Sequence, residues 1–377
     1  VRKISVLLCL ALLMVGMSVR AQDATPDATA AADLKPWTCP DGFQGQKLSV
    51  FNWTTYIAED TVSNFEKLCG VTVTYDTFDS NDSLIARLRQ GNPGYDIVVP
   101  TDYIIPTMIS ENLLEKLDQS KIPNMKNISP DLANPGYDPG NEYTVPYEWG
   151  TIGVGYDYNK VGEEITSWNQ VWNYTKGPVE WLEDKRAMLG IALKNLGLDP
   201  NSDNPDDINK AKDFLIEHGK NVSVIAQDDG QEHLAKGEAD IVVEYSGDIF
   251  QKISECKADP NCKADFRYVV PQEGANLWVD NLAIPAGAPN KALAEVFIDY
   301  ILDPQVGADI SNFVTYASPN QAAIDAGLIN KEQLEDPAIY PTEETRKNLF
   351  IIKPNPDAEQ LYNDAWDEVK INVGKGG

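Results

Sequence analysis

One tetrapeptide, an aspartate followed by three apolar residues, occurs twice in the chain. Asp-Ile-Val-Val occupies Asp96–Val99 and returns at Asp240–Val243. A short strand that is apolar on both faces fits the middle of a parallel sheet covered by helices on each side. Two such strands call for two such layers. The flanks match as well. Pro100-Thr101-Asp102-Tyr103 follows the first copy and Glu244-Tyr245-Ser246-Gly247 the second. Both put polar and aromatic residues just past the carboxyl end of a strand, where open α/β sheets bind their ligands. The expected fold is α/β, with two similarly built lobes facing each other across a cleft.

Periodicity fills in the rest. Lys47–Phe51 and Val71–Thr77 read as strands. Between them, Asp60–Cys69 carries Val62, Phe65, Leu68 and Cys69 at helical spacing and stops at Gly70. Ser80–Arg89 is a second helix, with Leu84, Ile85 and Leu88 on one face. With Asp96–Val99 this makes a βαβαβ unit, for which right-handed crossovers are expected. Further on, helices are predicted over Asp184–Leu196 and Asp206–His218, ended by Gly197 and Gly219, and a strand near Trp278–Ala286. Amphipathic helices are predicted over Asn290–Leu302 and Asp357–Ile371.

The N-terminus reads as an export signal. Arg2 and Lys3 precede an apolar run from Ile4 to Val19, so residues 1–21 are expected to be a signal peptide cut near Ala21. Residues 22–36, rich in Ala, Asp, Thr and Pro, have little to bury and read as a disordered tether. Export makes disulfides plausible. Cys256 and Cys262 flank a short polar loop and are paired; Cys39 then pairs with Cys69. There is no Cys-x-x-Cys and only His218 and His233 are present, so neither a metal site nor a cofactor is expected. The net charge of −27 argues against nucleic acid and anionic membranes as partners and suits a cationic ligand. No Gly-x-Ser-x-Gly elbow and no acid/base pair of carboxylates stands out, so the chain does not read as an enzyme.

Five stretches combine an aromatic with a hydroxyl or carboxylate at a strand end: Asn52–Tyr56, Pro100–Tyr103, Glu244–Gly247, Trp278–Asn281 and Val314–Tyr316. Aromatic faces attract ammonium groups and cover alkyl chains, and carboxylates give each ammonium a directional, charge-assisted bond. Together they suit a ligand of charged nodes joined by oily spacers. Each residue also has a plainer reading. Trp53 and Trp278 could be core, Asp184 could simply cap its helix, and Tyr103 and Tyr316 could be ordinary loop aromatics.

The segments FNWTTY, YDIVVPTDY, YTVPYEWGTIGVGYD, EGANLWVDNLAIPAGAPN and YASPNQAA make the chain resemble the spermidine/putrescine-binding proteins of bacterial ABC importers, from about Lys47 to the C-terminal helix. The resemblance implies a type II-like periplasmic-binding-protein fold. It also implies an extracytoplasmic, monomeric protein without catalysis that hands a polyamine to permease subunits. VPYEWG and the following IGVGY resemble the first crossing between lobes. The implied division is 37–148 with about 279–315 for lobe 1, and 149–278 with about 316–377 for lobe 2. The implied ligand-binding residues are Trp53, Thr54, Tyr56, Thr101, Tyr103, Asp184, Tyr245, Trp278, Asp280 and Tyr316. Departures from the family pattern are Thr55 and Ala187, where acids are usual, and Ile352, where Gln can stand. Asp102, Glu148 and Glu244 are candidates for additional acids. With Asp184 and Asp280 as the two secure carboxylates, a polyamine of two or three amines is expected, with preference for the shorter. Alternatives on the same fold are a binder of another cationic metabolite and a polyamine-sensing partner of a membrane receptor.

Overall fold

The structure is a computed structural model that describes residues 34–373. The expected signal peptide, the tether up to residue 33 and residues 374–377 lie outside it. The described residues contain nine strands: β1 Lys47–Trp53, β2 Thr72–Phe78, β3 Ile97–Val98, β4 Thr144–Asp157, β5 Val179–Leu182, β6 Val222–Ala226, β7 Ile241–Tyr245, β8 Phe266–Val269 and β9 Asn276–Ala283. They form one sheet, in the order β2-β1-β3-β9-β4-β7-β5-β6. Strand β8 takes over from β9 along the last residues of β4.

Parallel pairing is confined to two sets. β1 lies between β2 and β3 in one, and β5 lies between β6 and β7 in the other. The recurring Asp-Ile-Val-Val segments supply β3 and β7. The expected pair of separate sheets is joined into one by the antiparallel strands β4 and β9. The chain crosses between the lobes as paired strands, so the buried backbone groups of the crossing have partners. All fourteen residues of β4 are buried. Its pairing with β9 is interrupted by a bulge: Pro146 faces Asn281 and Trp149 faces Val279, which leaves Tyr147 and Glu148 opposite Asp280.

Helix Thr61–Cys69 corrects one sequence expectation. Its buried stripe is Thr61, Phe65 and Cys69, spaced by four, while Leu68 falls off that stripe and is 49% exposed. Gly70 closes the helix in the left-handed conformation, φ 65°. Helix Asn81–Arg89 starts where expected, with the Ser80 hydroxyl accepting from the Ser83 N–H. The C-terminal helix Glu359–Asn372 packs on helices Lys185–Asn195 and Pro205–His218 and buries Tyr362, Trp366 and Val369.

Cys39 is bonded to Cys69 and Cys256 to Cys262, with Cα separations of 5.2 and 5.3 Å. The first bond holds the N-terminal strip against helix Thr61–Cys69. Two further contacts hold that strip. The Trp37 indole N–H donates to Asp299 Oδ2 at 2.9 Å, and its ring lies 5.0 Å from that of Tyr300. Replacing Cys39 and Cys69 by Ser is expected to lower unfolding stability by about 2–4 kcal/mol. Denaturant unfolding with and without reductant checks this; equal stability in both would contradict it.

Candidate functional site

The carboxyl ends of strands from both sets converge on one narrow cavity. It is lined by Trp53, Thr54, Tyr56, Thr101, Asp228, Tyr245, Asp248, Trp278, Asp280 and Tyr316. Trp53 ends β1 and Tyr245 ends β7, Asp228 follows β6, and Trp278 and Asp280 lie on the crossing strand β9. The free volume is about 20 Å³, room for about one water. The walls therefore have to part before a larger molecule enters.

Aromatic rings form much of the wall. Trp53 lies 6.2 Å from Tyr245, Tyr245 5.8 Å from Trp278, Trp278 5.1 Å from Tyr316, and Tyr316 5.2 Å from Tyr56, all edge to face. Glycines admit this packing. A Cβ on Gly247 would lie 2.4 Å from the Tyr316 ring, and one on Gly150 would lie 2.8 Å from Trp278. The Trp53 indole N–H is tied to the Val99 carbonyl at 2.9 Å. The Trp278 indole N–H and the Tyr56 hydroxyl, both buried, have no hydrogen-bond partner among the described residues.

The acids are held by hydroxyls. Thr101 donates to Asp280 Oδ1 at 2.6 Å and is itself fixed by Asn81. Thr54, on the loop after β1, donates to Asp228 Oδ2, and Thr55 donates to Asp248 Oδ1 at 3.1 Å. Tyr316 donates to Asp248 Oδ2 at 2.5 Å. The Thr54 and Thr55 bonds span the cleft. Behind Asp228 and Asp248 sits Glu244, fully buried, with Oε1 accepting from its neighbour's backbone N–H and Oε2 unpartnered. Carboxylate oxygens of Asp228, Glu244 and Asp248 lie within 4.8 Å of one another. The nearby Lys252 is engaged by Glu232 and Glu255.

Burial without a cation raises every one of these acids. Asp280 is pushed up to about 7, against the Thr101 hydrogen bond that holds it down. Asp248 is pushed up to about 6 by burial, which the Tyr316 and Thr55 hydroxyls partly offset. Burial and then the charge of Asp248 lift Asp228 well above the usual carboxylate range. Burial and the charges of Asp228 and Asp248 do the same to Glu244. The arrangement is receptive to a cation, and its oxygen-only donors suit either an ammonium group or a hard metal ion.

Eight of the ten residues expected to bind ligand line this cavity. Tyr103 and Asp184 line a neighbouring one of about 30 Å³ that shares Trp53 and Tyr245 with it. There Asp184 Oδ1 caps its helix, accepting from the N–H groups of Arg186 and Ala187 at 3.0 and 2.9 Å. Asp102 and Ile352 line a wider groove of about 930 Å³, on the side of β9 to which Val279 and Leu277 contribute. Glu148 is buried in the β4 bulge and belongs to none of these three cavities. Sequence reasoning missed Asp228 and Asp248. Asp248 stands one residue past Glu244-Tyr245-Ser246-Gly247, in the first turn of helix Ser246–Ala258. Asp228 follows β6, a strand whose alternation is broken by exposed Ser223 and Val224.

Residues 60–341 match the bacterial extracellular solute-binding protein family. The chain belongs to that family. It is 35% identical over 338 residues to the putrescine-binding periplasmic protein SpuD of Pseudomonas aeruginosa, covering 86% of this chain and 91% of that protein. It is 36% identical over 339 residues, with the same coverage, to the putrescine-binding periplasmic protein PotF of Escherichia coli. A solved structure of a putative spermidine/putrescine ABC transporter protein from Listeria monocytogenes superposes with TM-score 0.80 at 33% identity, over 86% of this chain and 99% of that one. The two-lobed fold of this solute-binding protein is thus the fold of its relatives, and the family consists of binding proteins rather than enzymes.

The buried acids carry a pH signature. Asp248 and Asp280 hold protons up to about 6 and about 7 in the folded protein, against a model-compound value of 3.8. The folded state therefore binds more protons across that window, and stability is full at its acidic end and falls as pH rises through it. His233, raised by its bond to Glu180, adds to the same trend. The melting temperature of the ligand-free protein is expected to fall from about pH 4.5 to about pH 7.5, and Asp280→Asn to flatten the upper part of the fall. A melting temperature that rises over this range would contradict the assignment.

Proposed function

We propose that this chain is an extracytoplasmic solute-binding protein that captures a polyamine by closure of its two lobes and delivers it to the permease of an ABC importer. One observation carries the reading. Buried Asp248 and Asp280 and half-buried Asp228, none with a cationic partner, share one narrow cavity with a continuous aromatic wall, and both lobes contribute. The proposed lobes are 37–148 with about 279–315, and 149–278 with about 316–377. Asp280 and Thr101 come from the first, Asp228, Tyr245 and Asp248 from the second.

Ammonium groups take over the role that the Thr54, Thr55 and Tyr316 hydroxyls play on the carboxylates. A cation supplies charge as well as a donor, which a hydroxyl does not. The rings of Trp53, Tyr245, Trp278 and Tyr316 cover the methylenes between charges, with cation–π attraction where an ammonium meets a face. Only the closed form makes contacts from both sides, so binding energy goes into closing the cleft. The named substrates of SpuD and PotF support a diamine, and the three aspartates of the cavity supply more than enough charge for one. An exported location follows from the periplasmic relatives and the apolar run Ile4–Val19. No helix among the described residues is long and apolar enough to cross a membrane.

Calorimetric titration of the mature protein with putrescine, cadaverine, spermidine, spermine, calcium and a neutral sugar tests the reading. Polyamine binding is expected, with no response to the sugar. Calcium binding without polyamine binding would favour the metal reading of the acidic cluster and overturn this one. Asp280→Asn is expected to cost about 2–5 kcal/mol of polyamine affinity, because it leaves an ammonium without its carboxylate. Unchanged affinity would place the site elsewhere.

A further inference from the structure

The neighbouring cavity that holds Tyr103 and Asp184 contains a cation of the protein's own. Its wall includes the acids Asp79, Asp82, Glu183 and Asp184, together with Lys185. The Lys185 ammonium lies 2.8 Å from Asp82 Oδ2 and 3.1 Å from its Oδ1, and 3.1 Å from Glu359 Oε1. Its side chain is only 12% exposed. Asp82 stands in the first turn of helix Asn81–Arg89, which the chain places between β2 and β3, whereas Lys185 opens helix Lys185–Asn195, which follows β5. The pair therefore bridges the cleft.

Lys185 is also placed against the electrostatics of its own helix. The N-terminus of a helix favours anions, and a lysine at the first helical position is disfavoured there. Asp82 and Glu359, both in first turns, occupy the favoured positions and hold the ammonium between three helix starts. This cavity adjoins the first, and Trp53 and Tyr245, whose rings meet 6.2 Å apart, line both. A ligand that fills the first cavity and carries one more charged amine would extend past that pair. Its third ammonium would arrive beside Lys185.

We propose that Lys185 is a tethered ammonium that occupies the extension of the ligand site, so that the protein favours a diamine and disfavours a longer polyamine with a third charge. The proposal rests on the polyamine reading of the first cavity and assigns its length preference to one residue. Like charge at close range makes the added ammonium unwelcome, and Asp82 and Glu359 are already engaged by Lys185. Ala187, buried in the same helix, offers the third ammonium nothing in return.

Parallel titrations with putrescine and spermidine test this on the unsubstituted protein, Lys185→Met and Lys185→Arg. Lys185→Gln replaces the Met variant should that one fail to fold by circular dichroism. The ratio of spermidine to putrescine affinity is expected to rise by about tenfold or more in Lys185→Met and to stay near its original value in Lys185→Arg. An unchanged ratio in the Met or Gln variant, or an equal loss for both ligands, would overturn the proposal and leave Lys185 as a clasp between the lobes. Binding of neither polyamine by the unsubstituted protein would instead bring down the polyamine reading itself.

Discussion

Four carboxyl groups, three of them buried and Asp228 half-buried, stand in and behind one cleft with no base bonded to any of them. Asp228, Glu244 and Asp248 crowd within 4.8 Å of one another, and Asp280 faces them from β9. Taking a carboxylate out of water without a cation is costly, and close like charges add to the cost. The protein meets this with hydroxyl donors and retained protons, which is a weaker solution than a counter-ion. A cationic ligand relieves the whole arrangement at once. The architecture can be understood as the means of keeping these acids in place and uncompensated until such a ligand arrives.

Several features of the fold serve that end. The sheet runs through both lobes by way of β4 and β9, so the backbone of the crossing is paired and β9 presents Trp278 and Asp280 at the cleft. Tyr147, in the bulge of β4, donates to the Tyr56 carbonyl at 2.6 Å and fixes the loop that carries Thr54 and Thr55. Thr55 takes a left-handed conformation, φ 47°, which an acid at that position would also have to adopt. Gly150 and Gly247 let the rings of Trp278 and Tyr316 come against backbone. In the proposed lobe division, the contacts Thr54–Asp228, Thr55–Asp248 and Asp82–Lys185 all pair an acid with a donor from the opposite lobe. Closure and charge compensation are thus one event.

Much of this was legible in the sequence, for identifiable reasons. The duplicated Asp-Ile-Val-Val strands have an apolar signature on both faces that few other structures tolerate, and they became β3 and β7. Residues next to strands with strong periodicity, such as Trp53, Thr101, Tyr245 and Asp280, fell into the cavity together. Asp228 escaped because β6 is short and half exposed, so nothing in its pattern marks a strand end. Asp248 escaped because an acid in the first turn of a helix is ordinary. Glu148 is a candidate acid in the sequence, but it sits in the bulge at Tyr147–Glu148, buried and outside the cavity. A count based on Asp184 and Asp280 takes one acid from each cavity: Asp184 spends one oxygen on its helix cap, and Asp228 and Asp248 join Asp280 in the first.

The central claim is that ligand charge replaces protons on buried carboxyl groups. Calorimetry of putrescine binding at about pH 6.5 in buffers of different ionisation enthalpy measures it directly, since the slope against buffer enthalpy is the number of protons exchanged. Asp280 and Asp248, raised to about 7 and about 6, are partly protonated there. The account predicts a net release of about one proton or more per ligand bound, declining toward zero by about pH 8.5. Binding with no proton exchange at pH 6.5, or with proton uptake, would contradict it.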